Sequence, residues 1–321
     1  MTPDRPRVFI SLPLSDDQLA PLADYEVIRR TAAGPIQHKE LMEMIAGAAG
    51  HLGSAVLAIP NEVIDAAPRL RVISNFGVGF DNVDLSYARQ RGIDVCNTPG
   101  VLSDAVADLT LGLILQLARG LGEAQAMVRQ GRWVKGAHPL PLGSDLKEKT
   151  LTILGMGRIG LEVARRAQAF GMRVLFYDLR GDCEAPPGAD CAPTLDDALR
   201  EADFLSLHTN LTPDSYHLIG APQLAAMKPT AYLLNTARGP IVDQQALYEA
   251  LKEGLIAGAA LDVLEVEPPP AGEPLLTLPN VIISPHIGSA TVETRDAMAR
   301  LAVQNLADVL AGRPCSNIVN R

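Results

Sequence analysis

Cysteine is scarce in this chain and poorly spaced for metal chemistry. Its four cysteines, Cys96, Cys183, Cys191 and Cys315, form no C-x-x-C pair and no zinc-ligand pattern. That excludes a zinc module, predicts no bound metal, and points to a reducing compartment, the cytoplasm. Cys183 and Cys191 share a loop containing glycine and proline and are expected as free thiols rather than a bridge. Basic residues are outnumbered 28 to 37, for a formal net charge of −9, which argues against a general nucleic-acid or anionic-membrane binder. No apolar run reaches the length of a membrane span, and residues 2–7 are polar and prolyl rather than signal-like. Internal repeats and low-complexity tracts are absent. No serine or cysteine stands in a nucleophile-elbow setting, so an imidazole–carboxylate pair here would lack the nucleophile that hydrolysis needs.

What is present describes an ordinary globular protein of about two domains, with 321 residues, 47% hydrophobic and 20% charged. In the first hundred residues, strands are predicted at 8–10, 55–59 and 70–74. Ser15 is placed to cap a helix, and Asn61 to cap another through Ala66. From residue 151 a second alternating series begins, with strands at 151–154, 173–177, 204–207, 232–234, 256–261 and 281–283. Its helices start near Ile159, Thr194, Ala221, Asp243 and Ala290. Alternation of this kind implies parallel sheets with helices on both faces. Between the two series, residues 101–118 read as a helix that is apolar on both sides, expected to be buried between domains or subunits.

The most informative stretch is Gly155-Met156-Gly157-Arg158-Ile159-Gly160, which follows the apolar strand 151–154. A helical segment and a second strand come next, ending at Asp178, 18 residues after Gly160. This is the dinucleotide fingerprint in its proper context. Gly155 makes the tight turn, Gly157 admits the pyrophosphate, and Gly160 lets helix and strand pack closely. The helix N-terminus at Arg158 and Ile159 offers N–H groups to the phosphates. Asp178 is positioned for the adenosine ribose hydroxyls and favours NAD(H), with NADP(H) as the alternative because Arg180 lies two residues on.

Because the fingerprint comes late and the last helix follows the last strand, the first domain is expected to be discontinuous. The boundaries predicted are 1–99 plus 289–321 for a substrate domain and 100–288 for an inserted nucleotide-binding domain, with hinges near Pro99-Gly100 and Gly288-Ser289 flanking a cleft. The fold class expected is α/β, with two Rossmann-like parallel sheets.

Three polar residues lie just past carboxyl ends of predicted strands in the second half: Arg238, Glu267 and His286. An arginine can clamp a carboxylate through two hydrogen bonds and polarise the adjacent carbonyl. A histidine exchanges protons with an alcohol or carbonyl oxygen near neutral pH, and a neighbouring carboxylate keeps it protonated for carbonyl reduction. Glu265 competes with Glu267 for that carboxylate role.

These residues sit in six ordered motifs: NFGVGFDNVD (75–84), NTPGVLSDAVADLT (97–110), GMGRIG (155–160), NTARGPIVD (235–243), LDVLEVEP (261–268) and PHIGSAT (285–291). Through them the chain resembles the D-2-hydroxyacid dehydrogenases over nearly its whole length, and within that family the glyoxylate/hydroxypyruvate reductases. The resemblance implies Arg238 as substrate clamp, His286 as acid/base and Glu267 as its partner. It implies backbone amides at Val78 and Gly79 as holders of the substrate carboxylate. Thr236 and Asp262 would face the nicotinamide, with Thr209 nearer the pyrophosphate. It further implies a homodimer built on 101–130 and the loop 131–142, with Trp133 in that loop. The neutral segment Leu57-Ala58-Ile59-Pro60, together with a chain ending at Arg321, sets the sequence apart from phosphoglycerate dehydrogenases. It implies poor use of phosphorylated acids for want of a second cation. Glu267 differs from the amide expected in formate dehydrogenases, and Val78 from the lysine expected in phosphite dehydrogenases. The expected activity is reduction of a small 2-oxo acid to the (R)-2-hydroxy acid. The rival readings are a nucleotide-sensing protein like the C-terminal-binding corepressors, or a dehydrogenase of the same family acting on a larger 2-oxo acid.

Overall fold

Strands pair into two sheets, all of whose ladders are parallel, in the computed structural model, which describes residues 5–32, 34–136, 142–181 and 186–321. The chain divides into two compact units, Met1–Leu102 with Ala290–Arg321, and Ser103–Ser289.

The first unit holds β1 (Arg7–Ile10), β2 (Glu26–Arg29), β3 (Ala48–Ser54), β4 (Val72–Phe76) and β5 (Asp94–Cys96), in the order β2-β1-β3-β4-β5. The helix Val292–Leu310, capped by Thr291, packs on β3 and β4. Ala302, Val303 and Leu306 of this helix join Val8, Ile10, Leu52 and Val72 in one core. Polar ties fix the helix as well: the Ser74 hydroxyl donates to the Ala302 carbonyl at 2.8 Å, and the Asn305 amide to the Asn97 carbonyl at 2.9 Å. Ser15 caps Asp16–Leu19 through a capping box, as its sequence context suggests.

The strand expected at 55–59 is corrected to Ala48–Ser54. Its sequence, Ala-Ala-Gly-His-Leu-Gly-Ser, is poor in strand formers, yet it runs between β1 and β4 with all but its last residue buried. Small residues are needed there because the long helix lies close. A Cβ on Gly50 would stand 2.7 Å from Leu306 Cδ1. Val56, which looked like a strand residue, is exposed in a turn. The strand expected at 70–74 forms two residues later, and Pro60 rather than Asn61 occupies the cap position of the helix Asn61–Asp65. Strands β2 and β5 and the helices His38–Ile45 and Leu85–Gln90 were not anticipated.

The second unit holds β6 (Thr150–Leu154), β7 (Arg173–Tyr177), β8 (Ala189–Cys191), β9 (Phe204–Leu207), β10 (Tyr232–Asn235), β11 (Gly258–Leu261) and β12 (Val281–Ile283). Their order is β12-β11-β10-β9-β6-β7-β8. Strand β8, short and at the edge, is one more than the six the sequence suggests. Every residue of β6, β9 and β11 is buried, which is why they read as continuous apolar runs rather than alternating ones. The order reverses between β6 and β9, the place where open α/β sheets bind ligands beyond their carboxyl ends. The helix Ser103–Arg119 packs against the helix Arg158–Ala169, and Arg166 of the latter pairs with Asp104, Asp108 and Glu162. A second helix, Leu121–Arg129, turns away at Gly120 and buries none of its residues. Cys96, Cys191 and Cys315 are free thiols, while Cys183 and residues 137–141 of the expected dimer loop lie outside the described residues.

Candidate active site

The site is assembled along the carboxyl edge of the seven-stranded sheet. After β6, Gly155 turns with φ +94°, and a Cβ there would sit 2.8 Å from the main chain of His208 and Thr209 beyond β9. A Cβ on Gly160 would overlap the Gly155 carbonyl, whereas one on Gly157 would meet nothing within 4 Å. The glycine turn is therefore packed on its inner side and open at the N-terminus of Arg158–Ala169, where unpaired helix N–H groups gather. That is the shape and polarity a pyrophosphate requires. At the end of β7, the Asp178 carboxylate accepts the Met156 N–H at 2.9 Å, which joins the acid to the glycine turn. Arg180 reaches back to both oxygens of the same carboxylate, Nε to Oδ1 and Nη2 to Oδ2, each at 2.9 Å. These features fit a dinucleotide: an open glycine turn, helix amides and an acid at its edge.

Past β10, the Asn235 side chain shapes the next turn. It accepts the Ala237 N–H at 3.0 Å and donates to the Arg238 carbonyl at 2.8 Å, so that Arg238 projects half-buried from the strand end. Thr236 Oγ1 lies 3.3 Å from the Thr110 hydroxyl. Past β11, buried Asp262 organises the segment beyond β12. Its Oδ1 accepts the Ser284 hydroxyl at 2.6 Å and the Ile287 N–H at 2.9 Å, and its Oδ2 accepts the Gly288 N–H at 2.7 Å. A carboxylate has about four acceptor positions, so one on Oδ2 is left over. The Asp262 carbonyl also accepts the His286 N–H at 2.9 Å.

His286 takes a left-handed backbone, φ +52°, a conformation uncommon for a residue with a side chain and held here by those bonds. Its Nδ1 lies 2.7 Å from Glu267 Oε2, and Glu267 Oε1 accepts the Leu264 N–H at 3.0 Å. With the carboxylate as acceptor, Nδ1 carries a hydrogen and Nε2 is turned to other partners. Partial burial pushes the Glu267 carboxyl upward. The His286 hydrogen bond and charge, the Leu264 N–H and the Arg238 charge outweigh this and hold it below the usual range. Glu265 is engaged elsewhere: its Oε1 meets His217 Nε2 at 2.8 Å and the Gln244 N–H at 3.0 Å, and its own N–H is held by the Gln244 side chain.

Sequence reading missed the residues that hold this arrangement together: Asn235, Gly239, His217, Gln244 and Ser284. Gly239 lies inside a recognised motif, but its neighbour across the turn is 25 residues away in sequence and carries no local signal.

In the first unit, the loop after β4 is tied by its carbonyls. Gly77 O accepts the Thr98 N–H at 2.9 Å, Val78 O the Asn97 amide at 2.8 Å, and Gly79 O the Asn75 amide at 3.2 Å. The N–H groups of Val78 and Gly79 donate to no acceptor among the described residues.

A glycine-turn dinucleotide cradle and an imidazole–carboxylate pair with an arginine, on one sheet edge, define a nicotinamide-type oxidoreductase class. Residues 111–288 match the model of the D-isomer specific 2-hydroxyacid dehydrogenase NAD binding domain, and the chain belongs to this family. It is 44% identical to the glyoxylate reductase of Korarchaeum cryptofilum, covering 99% of this chain and 96% of that protein. It is 48% identical to the glyoxylate reductase of Thermococcus litoralis, over 82% and 81% respectively. Among solved structures it is similar to a protein of Thermus thermophilus, with TM-score 0.88 and 47% identity over 98% of this chain and 99% of that one. It is also similar to the NADPH-dependent glyoxylate/hydroxypyruvate reductase of Sinorhizobium meliloti, solved with NADP and malonate. There the TM-score is 0.85 and the identity 38%, over 98% and 97% of the two chains.

Proposed function

We propose that this protein reduces a small 2-oxo acid, of the glyoxylate or hydroxypyruvate type, to the (R)-2-hydroxy acid with a nicotinamide dinucleotide. The observation that carries the reading is the 2.7 Å His286–Glu267 pair on the same sheet edge as Arg238 and the Gly155–Gly160 turn. Nucleotide binding is assigned to residues 100–288 and substrate binding to 1–99 with 289–321.

When bound, the nicotinamide supplies hydride to the carbonyl carbon. Arg238 clamps the substrate carboxylate and polarises the carbonyl, and the N–H groups of Val78 and Gly79 donate to that carboxylate. His286 delivers a proton from Nε2 to the carbonyl oxygen, while Glu267, an anion in this setting, stabilises the charged ring. Gly155, Gly157, Arg158, Ile159 and Gly160 hold the pyrophosphate, with Thr209 beside them. Asp178 takes the ribose hydroxyls and so favours NADH. Thr236 and the remaining acceptor position of Asp262 face the carboxamide end.

The protein is further proposed to be a homodimer in the cytoplasm. The helix Leu121–Arg129 leaves Leu121 and Val128 exposed, and Trp133 and Val134 follow in the same condition, a run of apolar surface suited to a second copy. No single helix among the described residues is long and apolar enough to cross a membrane. Steady-state turnover with NADH and NADPH on a panel of 2-oxo acids tests the activity. Absence of turnover on every one, or faster reduction of simple aldehydes, refutes it. Light scattering at micromolar concentration that returns 34.2 kDa refutes the dimer.

A further inference from the structure

Arg295 differs from the other arginines of the described residues. Its side chain is half-buried on the first turns of the helix Val292–Leu310, and among the described residues it makes no hydrogen bond and no ion pair. The other arginines lacking a side-chain acceptor there, Arg69, Arg119, Arg129 and Arg158, are all exposed, and Arg158 belongs to the phosphate-binding turn. Desolvation lowers the Arg295 pKa from its ordinary value, and no carboxylate among the described residues offsets it. A cation partly withdrawn from water without a counter-charge is unfavourable, and an anionic or oxygen-bearing ligand would supply what the protein does not.

Its position says which ligand. The guanidinium carbon lies over the ring of Phe76, 5.3 Å from the centroid, a cation–π contact. Phe76 ends β4 and leads directly into Gly77-Val78-Gly79, whose last two N–H groups have no acceptor among the described residues. A cation–π contact uses none of the guanidinium N–H groups for a hydrogen bond, so its donors remain to be matched. Nearby, Thr98 gives its N–H to the Gly77 carbonyl but keeps a buried hydroxyl with no partner among the described residues. The carboxyl ends of β4 and β5 thus gather several polar groups that the protein itself leaves unmatched.

From this we infer that Arg295 is a specificity residue of the substrate site, donating to an oxygen on C3 of the 2-oxo acid. The inference rests on the proposed reduction of 2-oxo acids. It adds the second cation that the neutral segment 57–60 does not provide. The preferred substrate then carries a C3 hydroxyl or carboxylate, rather than lacking C3, as glyoxylate does, or bearing only a methyl, as pyruvate does.

The test compares wild type, Arg295→Gln and Arg295→Lys on glyoxylate, pyruvate, hydroxypyruvate and oxaloacetate. Wild type should prefer at least one of the last two over both glyoxylate and pyruvate, and which one distinguishes a hydroxyl from a carboxylate as the group recognised. Arg295→Gln should lower kcat/KM on that substrate by about tenfold or more, mainly through KM, because a charge-assisted hydrogen bond is lost. Its effect on glyoxylate and pyruvate should be several-fold smaller, and Arg295→Lys should recover part of the loss. Equal losses on all four substrates would make Arg295 a support for Phe76, and no loss would leave it without a role. Either result overturns the inference while the proposed reaction stands. A wild-type protein that reduces none of the four overturns both.

Discussion

Gly239 rests so closely on Leu264 that any Cβ at this position would overlap the Leu264 carbonyl. Arg238 is the residue just before this contact, and Glu267 follows Leu264 by three. The two loops that carry Arg238 and Glu267 are therefore in register because one of them has no side chain at the point of contact. Gly239→Ala should push them apart and lower kcat/KM on the order of 10²-fold, with NADH binding nearly intact. Steady-state kinetics with fluorescence titration of NADH would show this. Wild-type kcat/KM in the variant would mean the loops adjust without cost.

The His286–Glu267 pair makes a kinetic prediction. His286→Asn should lower kcat by roughly 10²–10⁴-fold while leaving NADH affinity in place, because proton transfer belongs to the transition state. Glu267→Gln should retain some activity at a lowered kcat, since a neutral amide can still accept from the ring N–H but stabilises a charged ring less. Near-normal kcat in the histidine variant would remove His286 from the chemistry.

Arg238 should act on binding and on the barrier together. Arg238→Ala should raise KM for the 2-oxo acid and lower kcat, and Arg238→Lys should recover only part of each because an ammonium cannot reproduce the planar fork. A variant whose loss falls wholly on KM would confine Arg238 to binding.

Cofactor choice should turn on Asp178 and Arg180, which are joined by two 2.9 Å bonds. Asp178 is almost wholly buried and Arg180 largely exposed, so the arginine is the partner that can move. NADH should give the higher kcat/KM, Asp178→Ala should narrow the gap, and Arg180→Ala should widen it by weakening NADPH. Equal or better kcat/KM with NADPH in the wild type would reverse the assignment.

Acid stability should report on His51. This strand residue is fully buried against Phe9, Nδ1 meets the Phe9 carbonyl at 3.2 Å, and Nε2 has no partner among the described residues. Burial lowers its pKa to about 4, against about 6.5 when unfolded. The unfolded chain then binds the proton more readily, so the stability due to neutral His51 is full above about pH 6.5 and lost as pH falls toward 4. His51→Phe should flatten the dependence of Tm on pH across that window. An unchanged slope would assign the acid sensitivity to other groups, His208 foremost, since burial also lowers its pKa to about 4.

Much of the second unit was legible in the sequence because its signals are local. A buried parallel strand is a continuous apolar run, a helix cap is a Thr194 or an Asp243 at a fixed offset, and Gly155 and Gly160 must be glycine wherever such a turn forms. The placement of Arg238, Glu267 and His286 beyond β10, β11 and β12 was legible for a related reason: each lies a few residues past a readable strand. The first unit was harder, since β3 owes its place to its neighbours in space. Ala48–Ser54 forms a strand because β1, β4 and a helix some 250 residues later enclose it, not because its residues prefer one.

The sequence by itself determined the alternating α/β pattern, the nucleotide turn and the kinds of chemistry on offer. Only the tertiary structure decided which groups meet. It paired His286 with Glu267 and gave Glu265 to His217, seated Gly239 against Leu264, and set Arg295 over Phe76. Propensity and capping act over a few neighbours along the chain, whereas contact and desolvation depend on residues that folding brings together from far apart.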